Sequence, residues 1–507
     1  MKKTLQLFLL FVAIHSFSQA PNIEWAKCFG GNQNEIGYGI DLTLDGGYIL
    51  TGSSESADGD ITSNNGDLDF WVTKVDATGN LVWQNNFGGS NIDRAYAVKS
   101  TSDGGYVVVG HTSSNDIDLT SNKGNSDAWI IKLNNLGVLQ WQKNVGGGGA
   151  DVFNDLILTS DGGFIAVGST FSNNNDVSGN HGNSDFLVMK FDSLGTIEWQ
   201  KCFGGSSAES VPKIIQLSDG NFLIGGYAFS TNGDITVNNG MSDYWLVKFD
   251  TTGTIIWQKS YGGTNTDSAA SMAELADGNI LVVGATQSND GDVTVQNGIG
   301  DYWILKLNSS GNLIWDKSVG FAFSDWAQDV IINPDGSFYV SGTIFAHNNG
   351  GYGQSDIGIF AFDSSGNVVW SKLIGGSNYE QGRRLIKNQD GNLVVFGETG
   401  SNNGLITDSN GMNDFWLVKF ELDILSSNAF TSNDFKVYPN PTKDFIYISN
   451  PENQLIDKVE VIDLNGRVLY FSEEFLDRID LKTFQNNIYI LKLYSDKEVY
   501  NYKFIKA

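Results

Sequence analysis

The residues best placed to do chemistry are carboxylates that recur at one position of a repeated unit. An acidic residue returns at intervals of 58 residues, or 55 in the last case, at Glu35, Asp93, Asp151, Glu209, Asp267, Asp325 and Glu380. Seven carboxylates around one axis would form a cation-attracting ring at a channel mouth. Alternatively, each accepts backbone N–H bonds or pairs with a recurring lysine, because a repeated internal charge needs a partner. Those lysines are Lys74, Lys132, Lys190, Lys248, Lys306 and Lys419.

A second acidic set lies in glycine-containing loops. Its clearest members are Asp58, Asp60, Asp116, Asp118, Asp290 and Asp292, with related residues at Asp176 and Asp234. Ca²⁺ takes six to eight oxygen ligands, so these loops are candidate calcium sites. Their spacing is not that of an EF-hand, and the alternative is a set of Asx turns that satisfy their own backbone. A third recurring acid, represented by Asp69, is expected to cap a turn or strand.

Signatures of enzymes are otherwise missing from the sequence. His111, His181 and His347 are the histidines beyond the first 20 residues, and no HExxH, GxSxG, CxxC or P-loop motif occurs. We assign no catalytic residue. Two carboxylates ~5 to 9 Å apart could still serve a polysaccharide hydrolase or lyase, and that alternative stays open.

The elements that position these residues follow from the repeat itself. Tryptophans spaced by 58 residues, and finally by 55, mark seven units: Trp25, Trp83, Trp141, Trp199, Trp257, Trp315 and Trp370. Each unit contains four short β-branched or aromatic runs, the first two joined by an Asp-Gly turn. Seven four-stranded antiparallel units predict a β-propeller. The chain begins with a lone fourth strand and ends without one, so the N-terminal strand should complete the last blade beside residues 415–420.

One unit breaks the repeat. The sixth contains Trp326, His347 and Tyr352, which have no counterparts of the same type in the other units. Aromatic side chains with a polar atom suit recognition of sugars or proteins. We take these three residues as a candidate ligand-binding patch, with packing as the alternative.

Composition and chain ends indicate where the protein goes. Acidic residues exceed basic ones by 27 among 507 residues, which argues against a nucleic-acid partner. Lys2 and Lys3, an apolar run over 5–14 and Ser18-Gln19-Ala20 predict a Sec signal peptide over 1–20, cleaved after Ala20. The apolar run is too short to span a membrane, and we expect no transmembrane segment. Cys28 and Cys202 lie in distant units and should be free thiols.

The composition changes near residue 434. Glycine is abundant before it, whereas residues 434–507 contain only Gly466 and read as short strands of an Ig-like β-sandwich. The motif Tyr438-Pro439-Asn440-Pro441, the segment around Gly466, an Ile-Tyr pair at 488–489 and a basic ending with Lys503 and Lys506 resemble the type A C-terminal sorting domain of type IX secretion. The resemblance implies passage through the periplasm to the type IX machinery, and release or attachment at the outer surface.

The repeats resemble those of secreted β-propeller proteins that carry such sorting domains. We therefore expect an all-β protein: a signal peptide over 1–20, a seven-bladed propeller over 21–420, a linker over 421–433 and a sorting domain over 434–507. We expect a binding or adhesion module for a glycan or protein, with Ca²⁺ as the sole candidate cofactor. The alternatives are a polysaccharide-acting enzyme and a structural surface scaffold.

Overall fold

The computed structural model describes residues 20–119, 121–345, 351–421, 436–439, 442–449, 456–462, 467–485, 487–494 and 499–506. The chain divides into two compact units, 1–421 and 422–507. Of the predicted signal peptide only Ala20 lies within the described residues, and of the predicted linker only Glu421. No helix in the described part of the chain is long and apolar enough to cross a membrane.

The first unit consists of β-strands that form seven four-stranded antiparallel sheets across the described residues. In chain order the strands are β1 (Asn22–Phe29), β2 (Glu35–Leu42), β3 (Tyr48–Ser54), β4 (Asp69–Val75), β5 (Leu81–Phe87), β6 (Asp93–Ser100), β7 (Tyr106–Thr112), β8 (Asp127–Leu133), β9 (Leu139–Val145), β10 (Asp151–Leu158), β11 (Phe164–Thr170), β12 (Asp185–Phe191), β13 (Ile197–Phe203), β14 (Glu209–Gln216), β15 (Phe222–Ala228), β16 (Asp243–Phe249), β17 (Ile255–Tyr261), β18 (Asp267–Glu274), β19 (Ile280–Thr286), β20 (Asp301–Leu307), β21 (Leu313–Val319), β22 (Trp326–Ile332), β23 (Phe338–Ile344), β24 (Asp356–Phe362), β25 (Val368–Ile374), β26 (Glu380–Lys387), β27 (Leu393–Thr399) and β28 (Asp414–Glu421).

Six sheets consist of four consecutive strands, starting with β2–β5 and ending with β22–β25. The seventh sheet has the order β1-β28-β27-β26, so the N-terminal strand supplies its fourth strand. In this sheet Ile23 lies opposite Phe420 and Phe29 lies opposite Phe415. Two ends of the unit that are almost 400 residues apart in sequence are thereby held together by backbone hydrogen bonds.

The middle strands of each sheet form the core. Every residue of β3 and β4 is buried, as is every residue of β8, β11, β12 and β16. Both faces of these strands are covered by side chains of neighbouring sheets, as Trp129 on β8 is by Phe70 on β4, with ring centroids 4.5 Å apart. Continuous β-branched and aromatic runs are what a strand buried on both faces requires. The fourth strand of each sheet is partly exposed.

The first strands of the seven sheets contact one another in an unbroken ring, β2-β6-β10-β14-β18-β22-β26 and back to β2. Each carries a register shift after its second or third residue, as between Gly37 and Gly39 or between Gly382 and Arg384. A β-bulge of this kind re-aims the side chains beside it. The space that these strands enclose is called the central channel below.

The second unit contains two sheets. One is formed by β29 (Lys436–Tyr438), β30 (Phe445–Ser449) and β33 (Arg478–Asp480). The other is formed by β31 (Lys458–Ile462), β32 (Val468–Ser472), β34 (Asn487–Tyr494) and β35 (Val499–Lys506). Residues from both sheets share one apolar core that includes Ile446, Val459 and Leu491.

Candidate functional site in the central channel

The acidic residues that begin the first strands are buried beside backbone donors. All seven are fully buried: Glu35, Asp93, Asp151, Glu209, Asp267, Asp325 and Glu380. Each accepts a backbone N–H bond of 2.6–2.8 Å from the residue four positions earlier, for example Gly89 to Asp93. Serine or threonine hydroxyls add further bonds, as Ser114 does to Asp93 at 2.8 Å. In the structure these acids therefore bond the backbone and neighbouring hydroxyls, and a cation-attracting ring at a channel mouth stays a prediction.

The recurring lysines pair with residues other than the buried acids. Lys74 lies 2.6 Å from Asp45 and Lys248 lies 2.6 Å from Asp219, both aspartates of Asp-Gly turns. The corresponding pairs are Lys132 with Asp103, Lys190 with Asp161 and Lys306 with Asp277, while Lys419 pairs with Glu24. In six of the seven sheets, these lysines thus form ion pairs at the end of the sheet away from the buried acids, which bond the backbone instead.

The loop aspartates also bond to the backbone. Asp60 accepts the Gly30 N–H at 3.1 Å and Asp58 accepts the Asn32 N–H at 2.9 Å. Asp116, Asp118, Asp290 and Asp292 make the equivalent bonds in their sheets. No group of three or more His, Cys, Asp or Glu side chains with metal-binding geometry occurs in the described ranges. These bonds close the loops, and calcium binding by them stays a prediction.

A buried pair of carboxylates recurs where one sheet meets the next. Asp69 at the start of β4 accepts the Asn65 N–H at 2.6 Å through Oδ2, whereas its Oδ1 is buried without a hydrogen bond. Gly88 separates this oxygen from Asp93: a Cβ on Gly88 would lie 2.3 Å from Asp69 Oδ1 and 2.6 Å from Asp93 Oδ2. Burial, followed by the charges of Asp93 and Asp118, raises the pKa of Asp69 to about 7. The pair is sealed from solvent, which excludes it from contact with a substrate.

The predicted patch in the sixth unit is only partly brought together. Trp326 is exposed at the start of β22 and packs edge-on against Phe345, with centroids 5.9 Å apart. Tyr352 is exposed and its N–H donates to Asp356. His347 lies outside the described residues. Trp326 lies on the same strand as Gln328, which lines a cavity that was not predicted from the sequence.

Two cavities occupy the central channel, one on each side of a layer of charged residues. The upper cavity, toward the starts of the first strands, measures about 240 Å³, and its lining includes Tyr38, Tyr96, Asn154, Lys213, Arg383 and Arg384. The lower cavity measures about 220 Å³ and is lined mostly by apolar residues of the same strands, such as Ile40, Leu156 and Leu385. Lys213 and Arg384 line both cavities. No acidic side chain lines the upper cavity.

The charged layer holds the channel together across its width. Arg384 on β26 lies 3.5 Å from Asp155 on β10, although these strands belong to sheets that are not neighbours. Asp329 on β22 accepts the Leu385 N–H at 2.9 Å and the Ser271 hydroxyl at 2.7 Å. Because these partners come from different sheets, the layer fixes the positions of the side chains around the upper cavity.

Aromatic rings and arginines form one wall of the upper cavity. The rings of Tyr38 and Tyr96 meet edge to face with centroids 4.8 Å apart, and the Arg383 guanidinium lies 5.2 Å from the Tyr38 ring. Arg383 also pairs with buried Glu398 at 2.8 Å. Burial and Tyr96 raise the pKa of Tyr38 to about 12, so its hydroxyl stays a hydrogen-bond donor at neutral pH.

Lys213 faces this wall. Its Nζ donates to the Asn154 carbonyl at 3.3 Å, and burial together with the Arg384 charge lowers its pKa to about 8. The ion pairs of the described residues include neither Lys213 nor Arg94. Nearby His111 stacks on Tyr96, and its pKa is lowered to about 4 by burial and Arg94, so it is neutral at pH 7. The upper cavity can therefore offer positive charge to a ligand.

Two features of the sequence could have revealed this site. The residue beside each bulge differs in almost every unit: Gly39, Ala97, Asp155, Lys213, Ser271, Asp329 and Arg384. In addition, all three arginines of residues 21–421 lie on first strands, namely Arg94, Arg383 and Arg384. The predicted patch of Trp326, His347 and Tyr352 lies in the sixth unit alone, whereas these departures from the repeat occur in other units as well.

Comparison with known families concerns the second unit. Residues 436–507 match the family model described as "Secretion system C-terminal sorting domain". This segment is a secretion-system sorting domain. A sorting domain of this kind implies handling by the type IX secretion system and export to the cell surface or the medium. Tyr438 ends β29 and Pro439 follows it, while Lys503 and Lys506 lie on β35; Asn440, Pro441 and Gly466 lie outside the described residues.

Other similarities extend over most of the chain at low sequence identity. The chain is 25% identical over 415 residues to "Regulatory protein FlaEY" of Caulobacter vibrioides, which covers 71% of this chain and 40% of that protein. Among solved structures, PorZ of Porphyromonas gingivalis, described as a surface component of the type IX secretion system, gives a TM-score of 0.42 at 12% identity, covering 94% of this chain and 60% of PorZ. The WD40 domain of Neurospora crassa Pan2 gives 0.40 at 11% identity, covering 76% and 90%.

Proposed function

We propose that residues 21–420 form a closed seven-bladed β-propeller and that residues 434–507 form an Ig-like sandwich that is read as an export address. The ring of contacts among the seven first strands and the pairing of β1 with β28 support closure. Cleavage after Ala20 and a linker over 421–433 complete this organisation. In this proposal the propeller is the cargo that acts outside the cell.

We further propose that the propeller is a saccharide-binding module whose site is the upper cavity and the channel mouth above it. The observation that carries this proposal is an accessible, cation-lined cavity with two tyrosines in a chain whose net charge is −27. Positive side chains concentrated in one cavity of so acidic a protein point to a ligand there. The candidate patch residue Trp326 contributes to the mouth.

The mouth carries further aromatic side chains. Phe171 and Phe229 directly follow the second strands β11 and β15, at the ends where the neighbouring first strands begin, and both are exposed. Phe171 also lines a neighbouring cavity of about 220 Å³ together with Tyr96 and His111. Exposed rings beside polar donors are suited to stacking on a sugar ring while its hydroxyls are bonded.

The test is a glycan-array and polysaccharide pull-down with the full chain, with and without Ca²⁺, in which the same tubes are assayed for newly released reducing ends. We expect retention without release, and loss of retention when Trp326 and Phe171 are both changed to Ala. A matched control is Leu194→Ala, which removes an exposed apolar side chain from the turn between β12 and β13. Release of sugar would identify an enzyme instead, and capture of protein alone or of nothing would overturn the saccharide proposal.

A further inference from the structure

We propose that the upper cavity recognises an acidic sugar, binding the carboxylate or sulfate group of a saccharide through its lining residue Lys213, assisted by Arg94, which bonds the lining residue Tyr96. The inference rests on the proposed function and adds to it the chemical class of the ligand.

Two of the four cations in this region already have a counter-ion. Arg383 is paired with Glu398 at 2.8 Å, and Arg384 lies 3.5 Å from Asp155. Lys213 Nζ donates to a backbone carbonyl; the charges of Asp155 and Asp329 act on it, but neither forms an ion pair with it in the described part of the chain. Arg94 bonds Tyr96, and its Nε is buried without a hydrogen bond. A half-buried cation without a paired anion is costly, and an anionic ligand removes that cost.

The backbone beside Lys213 is held in an unusual conformation. Val211 has φ of 55°, a value that is rare for a β-branched residue, and it lies in the bulge of β14. Val211 is exposed and lines the upper cavity. Pro212 follows it and fixes the next backbone angle. Strain of this kind persists where the surrounding structure needs a particular side-chain position, here that of Lys213.

Size and charge restrict the ligand. Cavities that enclose drug-sized ligands measure about 300–1,000 Å³, so a cavity of about 240 Å³ accommodates one sugar residue rather than a folded chain. The excess of 27 acidic residues repels long polyanions at low salt, which disfavours nucleic acid and densely charged polymers. A short saccharide with one or a few anionic groups satisfies both conditions, because its neutral ring can lie against Tyr38 and Tyr96.

The experiment is isothermal titration calorimetry of the full chain at pH 7 with matched pairs of probes. One pair is trigalacturonate and its methyl ester, and the other is galactose 6-sulfate and galactose. We expect an acidic member to bind at least about tenfold more tightly than its neutral partner, the effect of one charge-assisted hydrogen bond. Preference for the carboxylate or for the sulfate identifies which acid group the cavity takes, and either preference supports the inference.

Two variants locate the effect. Lys213→Gln and Arg94→Gln should each reduce affinity for the acidic probe about tenfold and leave that for the neutral partner unchanged. Lys201→Gln, on the outer strand β13, is the matched control and should change neither. Circular dichroism melts establish that each variant is folded; if Lys213→Gln does not fold, Arg94→Gln decides. Binding at pH 8 should also take up protons in wild type, and not in Lys213→Gln, as shown by titrations in buffers of different ionisation enthalpy.

Equal binding of acidic and neutral probes would overturn this inference and leave the saccharide-binding proposal standing. Preference for the acid that survives both substitutions would overturn the assignment to the upper cavity. Failure of all saccharides, both in solution and on the array, would overturn the inference and the proposed function together.

Discussion

Replacing Asp69 by Asn should change the pH dependence of stability, because this carboxyl is buried beside Asp93. Asp69 has an ordinary pKa of 3.8 when unfolded and about 7 when folded. The folded state therefore holds a proton that the unfolded state releases, so stability is fully present below pH 3.8 and falls as pH rises through 7. One pKa unit corresponds to about 1.4 kcal/mol, which sets an upper limit of about 4 kcal/mol for this one group.

Asparagine imitates the protonated acid. Its oxygen can accept the Asn65 N–H that Asp69 now accepts at 2.6 Å, and it carries no charge near Asp93. The variant should match wild type at pH 4 and be more stable at pH 8 by up to about 4 kcal/mol. Differential scanning calorimetry of the full chain would show this as an increase of several degrees in the transition of the first unit at pH 8 alone.

The control is Asp76→Asn in the exposed turn after β4. Hydrogen bonds from the Asn80 N–H and the Thr78 hydroxyl lower the pKa of Asp76 to about 2, so its contribution has the opposite sign. Its contribution is present above pH 3.8 and lost as pH falls through 2. Equal destabilisation of Asp69→Asn at pH 4 and pH 8 would refute the reasoning, since it would show that Asp69 is ionised and well bonded in the folded state.

The same structure yields three further expectations. Gly88→Ala should destabilise the first unit by roughly 1–3 kcal/mol, because the new Cβ would lie 2.3 Å from Asp69 Oδ1; Gly300→Ala, whose new Cβ would meet its nearest atom at 3.5 Å, is the control, and equal melting curves for the two variants would contradict this. Removing Ca²⁺ with a chelator should leave the melting temperature unchanged, because Asp58 and Asp60 bond backbone N–H groups; a decrease that Ca²⁺ restores would show that the loops bind it. Cys28 and Cys202 are free and buried, and burial raises the pKa of Cys202 to about 12, so thiol reagents should label the native chain far more slowly than the denatured chain, and fast labelling would show local opening.

Most of the architecture could be predicted from periodicity. The recurring tryptophans, Asp-Gly turns and β-branched runs indicated four strands per unit, and the missing final strand indicated a partner for Ile23 near Phe420. Such patterns can be recognised in the sequence because every repeat needs apolar residues at the same buried strand positions. The sorting domain could also be recognised from its sequence motifs, which lie within the residues that the family model matches.

The roles of the carboxylates were harder to predict, because sequence spacing does not report burial. The sequence spacing of Glu35 and Asp93 would be the same whether they faced solvent or the backbone, and only the structure shows that both are buried. The recurring lysines were considered as partners for them, yet Lys74 reaches Asp45 at the other end of its sheet. A charged residue that recurs in all seven units therefore mainly indicates a structural role that the units share.

The same reasoning explains where a binding site can arise in a repeat protein. Positions that every unit needs for packing cannot vary without loss of stability, whereas the residue beside each bulge faces the channel and differs in type between units. Glycine occupies it at Gly39, lysine at Lys213 and arginine at Arg384. A nearly symmetric scaffold thus encloses an asymmetric set of charges, and asymmetry is what a channel on the axis needs in order to orient a single ligand. In a repeat protein of this kind, a functional residue is therefore best sought at a position where the backbone conformation is the same in every unit but the residue type differs.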